Sequence, residues 1–290
     1  MTARASLEAD LAARLGSANE ARWMVDEVLG AGAGTDEAAA RALHEMATRR
    51  LGGEPLQYVL GTWAFRSLEL SVDARALIPR PETEQVVEVA LAEVRRQDAS
   101  AGSAVAALRV ADLGTGSGAV ALAVAVELGA ARPALRVVAT DVDSAALSLA
   151  QENLRRVARR HPHVPAQVEL AAGSWFDALA PRWRGRFHLV VSNPPYVSEE
   201  EWGSLDPEVR REPYGALVAV AGTDGTPGFG AIETVLAGAR AWLAPGGAVV
   251  AELAPHHAGP ATALAARAGY RDVRVERDLA GRERAVVARR

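Results

Sequence analysis

Four consecutive residues, Asn193-Pro194-Pro195-Tyr196, put together an uncharged carboxamide, two imino acids and a phenol. A carboxamide offers an acceptor oxygen and two N–H donors without carrying charge, so it can hold a planar amide or amino nitrogen. Two prolines in a row lack the donors a sheet ladder needs, and Pro194 pushes Asn193 away from helical angles. Tyr196 stands where its ring can cover the flat face of such a group. Before these four comes Phe187-His188-Leu189-Val190-Val191, the short apolar and β-branched run expected of a buried strand. The carboxamide is therefore predicted at the carboxyl end of a strand, the edge where ligands sit in open α/β sheets. On these four residues alone, a proline-rich turn after a strand explains the pattern equally well.

A second group of residues points to what lies beside that edge. Val110-Ala111-Asp112-Leu113-Gly114-Thr115-Gly116-Ser117-Gly118 runs from strand into loop into helix. Its glycines let a ligand approach the backbone closely, and the helix start beyond them favours an anionic group. The Gly-x-Gly-x-Gly spacing is neither the dinucleotide Gly-x-Gly-x-x-Gly nor a phosphate loop. A carboxylate, Asp141, closes the next strand 23 residues past Gly118 and is placed to accept both ribose hydroxyls of a nucleoside. Trp175, after the third strand, is a candidate to lie against an adenine ring, with a core tryptophan as the competing reading. A nucleoside pocket without a phosphate cradle, beside a strand-end amide, points to S-adenosylmethionine.

The rest of the chain must position these groups. At 290 residues it suits two domains, one small and one large. Residues 5–15, 20–29 and 35–51 carry apolar residues at helical spacing, with Thr35-Asp36-Glu37 as a cap. Pro55 to Val59, Thr62 to Phe65 and Leu68 to Val72 read as short strands forming a hairpin. Pro81 opens a helix expected to reach about Arg96, followed by a flexible connection over 97–107. From Leu108 strands at 108–113, 135–140, 167–171, 187–192, 247–252, 271–276 and 284–288 alternate with helices at 119–129, 143–159, 229–243 and 257–268. This predicts a mostly parallel sheet with helices on both faces, one strand near the end turned antiparallel by a hairpin at Asp278 to Gly281.

Composition narrows the function classes. Cysteine is absent, which excludes disulfides, thiolate catalysis and cysteine metal sites, and no histidine spacing suggests a metal. No apolar run is long enough for a membrane helix, and the N-terminal residues lack the apolar core of a signal peptide, so a cytoplasmic enzyme is expected, with a monomer as the default state. All 32 basic residues are arginine, yet the net charge is −4, which argues against a partner made of long nucleic acid.

Taken together, the sequence resembles the PrmC/HemK family of protein-glutamine N5-methyltransferases. Gly53-Glu54-Pro55-Leu56-Gln57-Tyr58, Ile78-Pro79-Arg80-Pro81-Glu82-Thr83-Glu84, Asp112 to Gly118, Asn193 to Tyr196 and Arg277-Asp278-Leu279-Ala280-Gly281-Arg282 carry the likeness across essentially the whole chain. The resemblance implies an α/β class I (Rossmann-like, seven-stranded) S-adenosylmethionine-dependent methyltransferase domain over 81–290, a helical substrate-docking domain over 1–53 and a β-hairpin linker over 54–80. It implies cofactor contacts from Gly114, Thr115, Gly116, Ser117, Gly118, Asp141, Trp175 and Asn193, and a substrate glutamine held by Asn193, Pro194, Pro195 and Tyr196, with Asn193, Pro194 and Tyr196 as the catalytic set. That glutamine would lie in the Gly-Gly-Gln loop of peptide chain release factors. Three positions depart from the family pattern: Ser174 where relatives often carry an acid, Ala254 where Glu-x-Gly is usual, and Arg211 where an aromatic precedes Glu-Pro. The alternatives are an N6-adenine methyltransferase acting on nucleic acid, which uses the same four residues on a flipped base, and a non-catalytic cofactor-binding scaffold. The first wants a basic reading module, whereas residues 1–80 hold 9 arginines against 11 acids.

Overall fold

The computed structural model of the protein describes residues 3–30, 37–102, 104–105 and 107–290. Its N-terminal lobe is built from α1 (Ala3–Leu15), α2 (Ala18–Leu29) and α3 (Glu37–Leu51). Ser17 caps α2 by accepting from the Glu20 N–H at 3.3 Å, which satisfies one of the donors a helix start leaves open. Leu11, Met24, Val25, Leu29, Leu43 and Met46 share one core, so helices too short to persist alone hold each other. The predicted cap residues Thr35 and Asp36 lie outside the described residues.

Pro55 to Val59, predicted to be strand-like, is instead helical: α4 spans Leu56–Leu60. Leu56 and Val59, three residues apart, join the core of the helical lobe, and the Tyr58 hydroxyl donates to the Ala76 carbonyl at 2.7 Å. Tertiary burial here overrides the strand preference of a Tyr-Val pair, and Gly61, at φ 77°, ends the turn. The hairpin that follows is β1 (Thr62–Phe65) paired antiparallel with β2 (Leu68–Ser71). Phe65, Leu68 and Leu70 enter the main core, and the Arg66 N–H donates to Glu84 at 3.0 Å, tying the hairpin to the next helix. That helix, α5 (Pro81–Ala101), starts with Pro81 in its first turn as predicted but continues past Arg96 into the stretch expected to be a flexible connection. Gln97 anchors the added turn by donating to the His188 carbonyl at 3.0 Å, and Gly102, at φ 70°, stops it.

Seven strands follow: β3 (Arg109–Leu113), β4 (Arg136–Asp141), β5 (Val168–Ala172), β6 (Phe187–Ser192), β7 (Leu243–Glu252), β8 (Arg271–Arg277) and β9 (Glu283–Arg289). They form one sheet in the order β5-β4-β3-β6-β7-β9-β8, with β9 antiparallel to both its neighbours. Alternate residues along each strand feed two cores. Val110, Val137, Leu189, Val191 and Val250 face α5 and α6 (Ala119–Gly129). Leu113, Val138, Val190 and Val249 face α10 (Gly230–Trp242) and α11 (Ala258–Arg267). Burial on both sides explains why these strands read as unbroken apolar runs rather than as alternating ones. Between β4 and β5 lies α7 (Ser144–Ala158), and the segment after β6 holds the single turns α8 (Glu199–Trp202) and α9 (Tyr214–Leu217). The chain leaves β3 toward β4 on one side, while β6 pairs with β3 on the other, Leu113 opposite Ser192. The crevice beyond those two strand ends is the switch point at which open α/β sheets bind ligands. Among the described residues, no helix is long and apolar enough to cross a membrane.

Candidate active site

At the end of β3 the backbone turns through Gly114, Gly116 and Gly118, with φ of 70°, 56° and 85°. Side chains rarely adopt such angles, which is why this loop is written in glycine. Asp112 pins the turn from below: one carboxylate oxygen accepts from the Thr115 hydroxyl at 2.6 Å and from the Ala121 N–H at 3.1 Å. Burial pushes the Asp112 carboxyl up to about 7 despite those donors. At the end of β4, Asp141 accepts from the Gly116 N–H at 2.8 Å and, through its other oxygen, from the Asp143 N–H at 2.9 Å. Each oxygen keeps a second acceptor site, and burial raises this carboxyl too.

These elements bound a cleft of about 340 Å³. Of the residues expected from sequence, Gly114, Thr115, Gly116, Ser117, Asp141, Trp175, Asn193 and Pro195 line it. Trp175 has φ 45°, an uncommon angle for a tryptophan, and its ring lies 3.6 Å from where a Cβ on Gly114 would stand. Gly118, Pro194 and Tyr196 do not line the cleft. A Cβ on Gly118 would stand 3.3 Å from Ala150 and Leu122, so this glycine lets α6 begin hard against α7.

The amide end of the cleft is held by residues far apart in sequence. Asn193 leaves β6 with its Nδ2 donating to the Thr83 hydroxyl at 3.1 Å. Thr83, in the first turn of α5, donates in turn to Glu252 at 2.7 Å, at the end of β7. The Tyr196 hydroxyl meets the other oxygen of Glu252 at 3.4 Å. Thr83 and Glu252 are 4% and 1% exposed. Burial pushes Glu252 up to about 7, and it raises the Tyr196 phenol as well. Among the described residues no protein donor reaches Asn193 Oδ1, and no backbone N–H reaches the Pro194 carbonyl. Asn193 Oδ1, on a residue that lines the cleft, and the Pro194 carbonyl next in sequence are thus acceptors with no donor among the described residues.

The Methyltransferase small domain family model matches residues 99–205. A release factor glutamine methyltransferase of Bordetella pertussis is 39% identical over 274 residues, covering 91% of this chain and 92% of the relative. The protein of the same name from Deinococcus radiodurans is 39% identical over 254 residues, 88% of this chain and 81% of its own. This chain belongs to the release factor glutamine methyltransferase family. A crystal structure of a methyltransferase from Pyrococcus furiosus, 17% identical, matches with a TM-score of 0.52 over 86% of this chain and 96% of that one, which speaks to the fold alone.

Several further residues line the cleft: one wall is Arg75 to Pro79, of which only Ile78 and Pro79 belong to a stretch singled out in the sequence, and the rim opposite is Pro213, Gly215 and Ala216. Glu212 joins the two: its buried carboxylate accepts from the Ile78 N–H at 2.9 Å and pairs with Arg80. The same segment reaches the helical lobe, where Arg50 bridges Glu20 at 2.7 Å and Glu208 at 2.6 Å, and Arg211 donates to the Gly52 carbonyl at 2.5 Å. Arg211, one of the departures from the family pattern, therefore acts as a tie between lobes. Ala254, another, has φ −76°, an angle that needs no glycine. Ser174 lines the cleft beside Trp175. Glu252 and Asp112 did leave a trace in the sequence, as single acids inside otherwise apolar strand runs.

Proposed function

We propose that this protein methylates the side-chain amide nitrogen (N5) of the glutamine in the Gly-Gly-Gln motif of peptide chain release factors, using S-adenosylmethionine. The observation that carries this reading is the Asn193 carboxamide, fixed at the rim of the glycine-lined cleft with its oxygen free, in a chain whose relatives are release factor glutamine methyltransferases.

The cleft suits the cofactor in both charge and shape. Asp141 presents a fixed carboxylate to the ribose hydroxyls, Trp175 and the exposed Val142 offer apolar walls to the base, and the glycine turn lets the ligand lie on the backbone. Bound S-adenosylmethionine supplies an electrophilic methyl on a sulfonium, which leaves as a neutral thioether.

A glutamine amide nitrogen is a weak nucleophile because its lone pair is shared with the carbonyl. The protein's task is then mainly alignment, which can supply on the order of 7 kcal/mol. Asn193 Oδ1 and the Pro194 carbonyl accept the two N–H bonds of the substrate amide, turning its nitrogen toward the cleft. As positive charge develops on that nitrogen, both acceptors bind it more tightly. The two prolines keep the acceptors from relaxing away, and the Tyr196 ring helps exclude water. The surplus proton leaves to water after transfer. We place the enzyme in the cytoplasm as a monomer, with the helical lobe docking the release factor.

Incubation with a release factor and labelled cofactor, followed by peptide mass spectrometry, tests this reading. The expected result is a single methyl increment on the Gly-Gly-Gln glutamine. An unmodified release factor, with label instead on duplex DNA, would refute it.

A further inference from the structure

We infer that Thr83 and Glu252 are positioning residues that set which end of the Asn193 carboxamide faces the cleft. This inference rests on the proposed role of Asn193 as the acceptor for the substrate amide.

A carboxamide is nearly symmetric in shape, and its two ends have opposite chemistry. With Oδ1 toward the cleft, Asn193 accepts a substrate N–H; with Nδ2 there, two donors face each other and the substrate amide is repelled. Packing alone does not choose between ends of the same size. The hydroxyl of Thr83 does. It carries one proton, and an ionised Glu252 at 2.7 Å, which can only accept, takes it. Thr83 then shows Asn193 only lone pairs, so the amino end must turn to it, as the 3.1 Å contact records. The oxygen is left for the cleft. The three groups link the end of β7, the first turn of α5 and the end of β6, and Thr83 and Glu252 are both buried.

Protonating Glu252 reverses the logic. Its new O–H donates to Thr83, the Thr83 proton is freed toward Asn193, and the carboxamide can flip to present Nδ2 to the cleft. The charged and titratable groups facing Glu252 are Glu82 from α5, Tyr196 from the loop after β6, and Arg284 from β9, itself held by Asp278 at 3.2 Å. Burial is the largest influence and holds this carboxyl up to about 7, so the switch falls in a range where the enzyme can be assayed. Turnover should therefore rise with pH through that value and then level off.

The test compares wild type, Thr83→Val, Thr83→Ser and Glu252→Gln on a release factor, from about pH 6 to 8.5. Thr83→Val keeps the side-chain shape without the hydroxyl and should lower kcat roughly tenfold to a hundredfold, with cofactor affinity by calorimetry unchanged. Thr83→Ser should restore most of that loss. Glu252→Gln, which removes the titrating proton, should lose the acid limb of the profile. The Asn193 side-chain N–H₂ resonances, identified by their disappearance in Asn193→Ala, should move with pH in the wild type and stay put in Glu252→Gln. An acid limb that persists unchanged in Glu252→Gln, or a fully active Thr83→Val, overturns the inference while leaving the proposed reaction standing. A wild type that methylates nothing takes both down.

Discussion

Replacing Arg80 with methionine isolates the energetics of the contact that joins the wall at Ile78 to the rim at Pro213. Glu212 has a side chain only 1% exposed, and among the described residues its charged partner is Arg80, whose side chain is 30% exposed. Removing one member of a buried pair costs about 3–5 kcal/mol, because the other charge stays buried and unmatched. The Ile78 N–H continues to serve Glu212, and Arg80 is partly in water, so the lower end, about 3 kcal/mol, applies here. For a domain of this size that corresponds to a drop of roughly 6–12 °C in Tm. The pH dependence has a definite sign. Burial holds the Glu212 carboxyl above its ordinary value, so in that window the folded protein keeps a proton the unfolded chain has released. Stability contributed by this group thus falls as pH rises through the window. Without Arg80 the carboxyl is raised further, so the deficit of Arg80→Met should be largest on the alkaline side and shrink on acidification. Adding Glu212→Gln, which removes the charge but keeps an acceptor for Ile78, should recover most of the loss. Thermal scans of the three variants at about pH 8 and about pH 5.5 decide it. An Arg80→Met variant that melts with the wild type at both values, or whose deficit grows in acid, refutes the reasoning.

Asn193→Ala should lower kcat roughly a hundredfold or more, the scale of losing one positioned polar group, while calorimetry finds cofactor affinity largely kept. Asp141→Ala should weaken cofactor binding roughly tenfold or more, since a charge-assisted hydrogen bond is worth about 1.5–3 kcal/mol, and should do so in the absence of any release factor. Gly228→Ala should cripple activity: the new Cβ would lie 2.4 Å from the Tyr196 carbonyl at φ 66° and force the Asn193–Tyr196 segment to move. Gly225→Ala, at φ 85° with open space around it, is the control and should cost only about 1–2 kcal/mol of backbone strain with turnover retained.

The sheet was legible because its strands are buried on both faces, so β3, β4, β6 and β7 stand out as apolar runs bounded by Gly, Pro and Asp. The cleft floor was legible for the same reason, since Gly114, Gly116 and Asp141 occupy fixed places at strand ends. Local pattern failed where a few distant contacts decide the outcome. Five residues at Leu56–Leu60 turn helical because Tyr58 reaches Ala76, and α5 extends because Gln97 reaches His188, neither of which a window of sequence contains. Thr83 looked like an ordinary first-turn residue, and only the sheet order brings Glu252 and Asn193 to it. At the rim only the Glu-Pro step at 212–213 stood out, while Gly215 and Ala216 did not, because the segment is placed by Glu212, an exposed-looking acid whose partners lie more than a hundred residues away.

Between Glu208 and Glu212 the chain is tied to two bodies, first the helical lobe through Glu208 and Arg211, then the wall at Ile78 and Arg80 through Glu212. Pro213, Gly215 and Ala216 follow at once on the cofactor rim. With five residues and that many fastenings there is no slack to absorb a swing of the lobe. Any tilt of the helical lobe is therefore passed on to the rim, and with it to the mouth of the cleft.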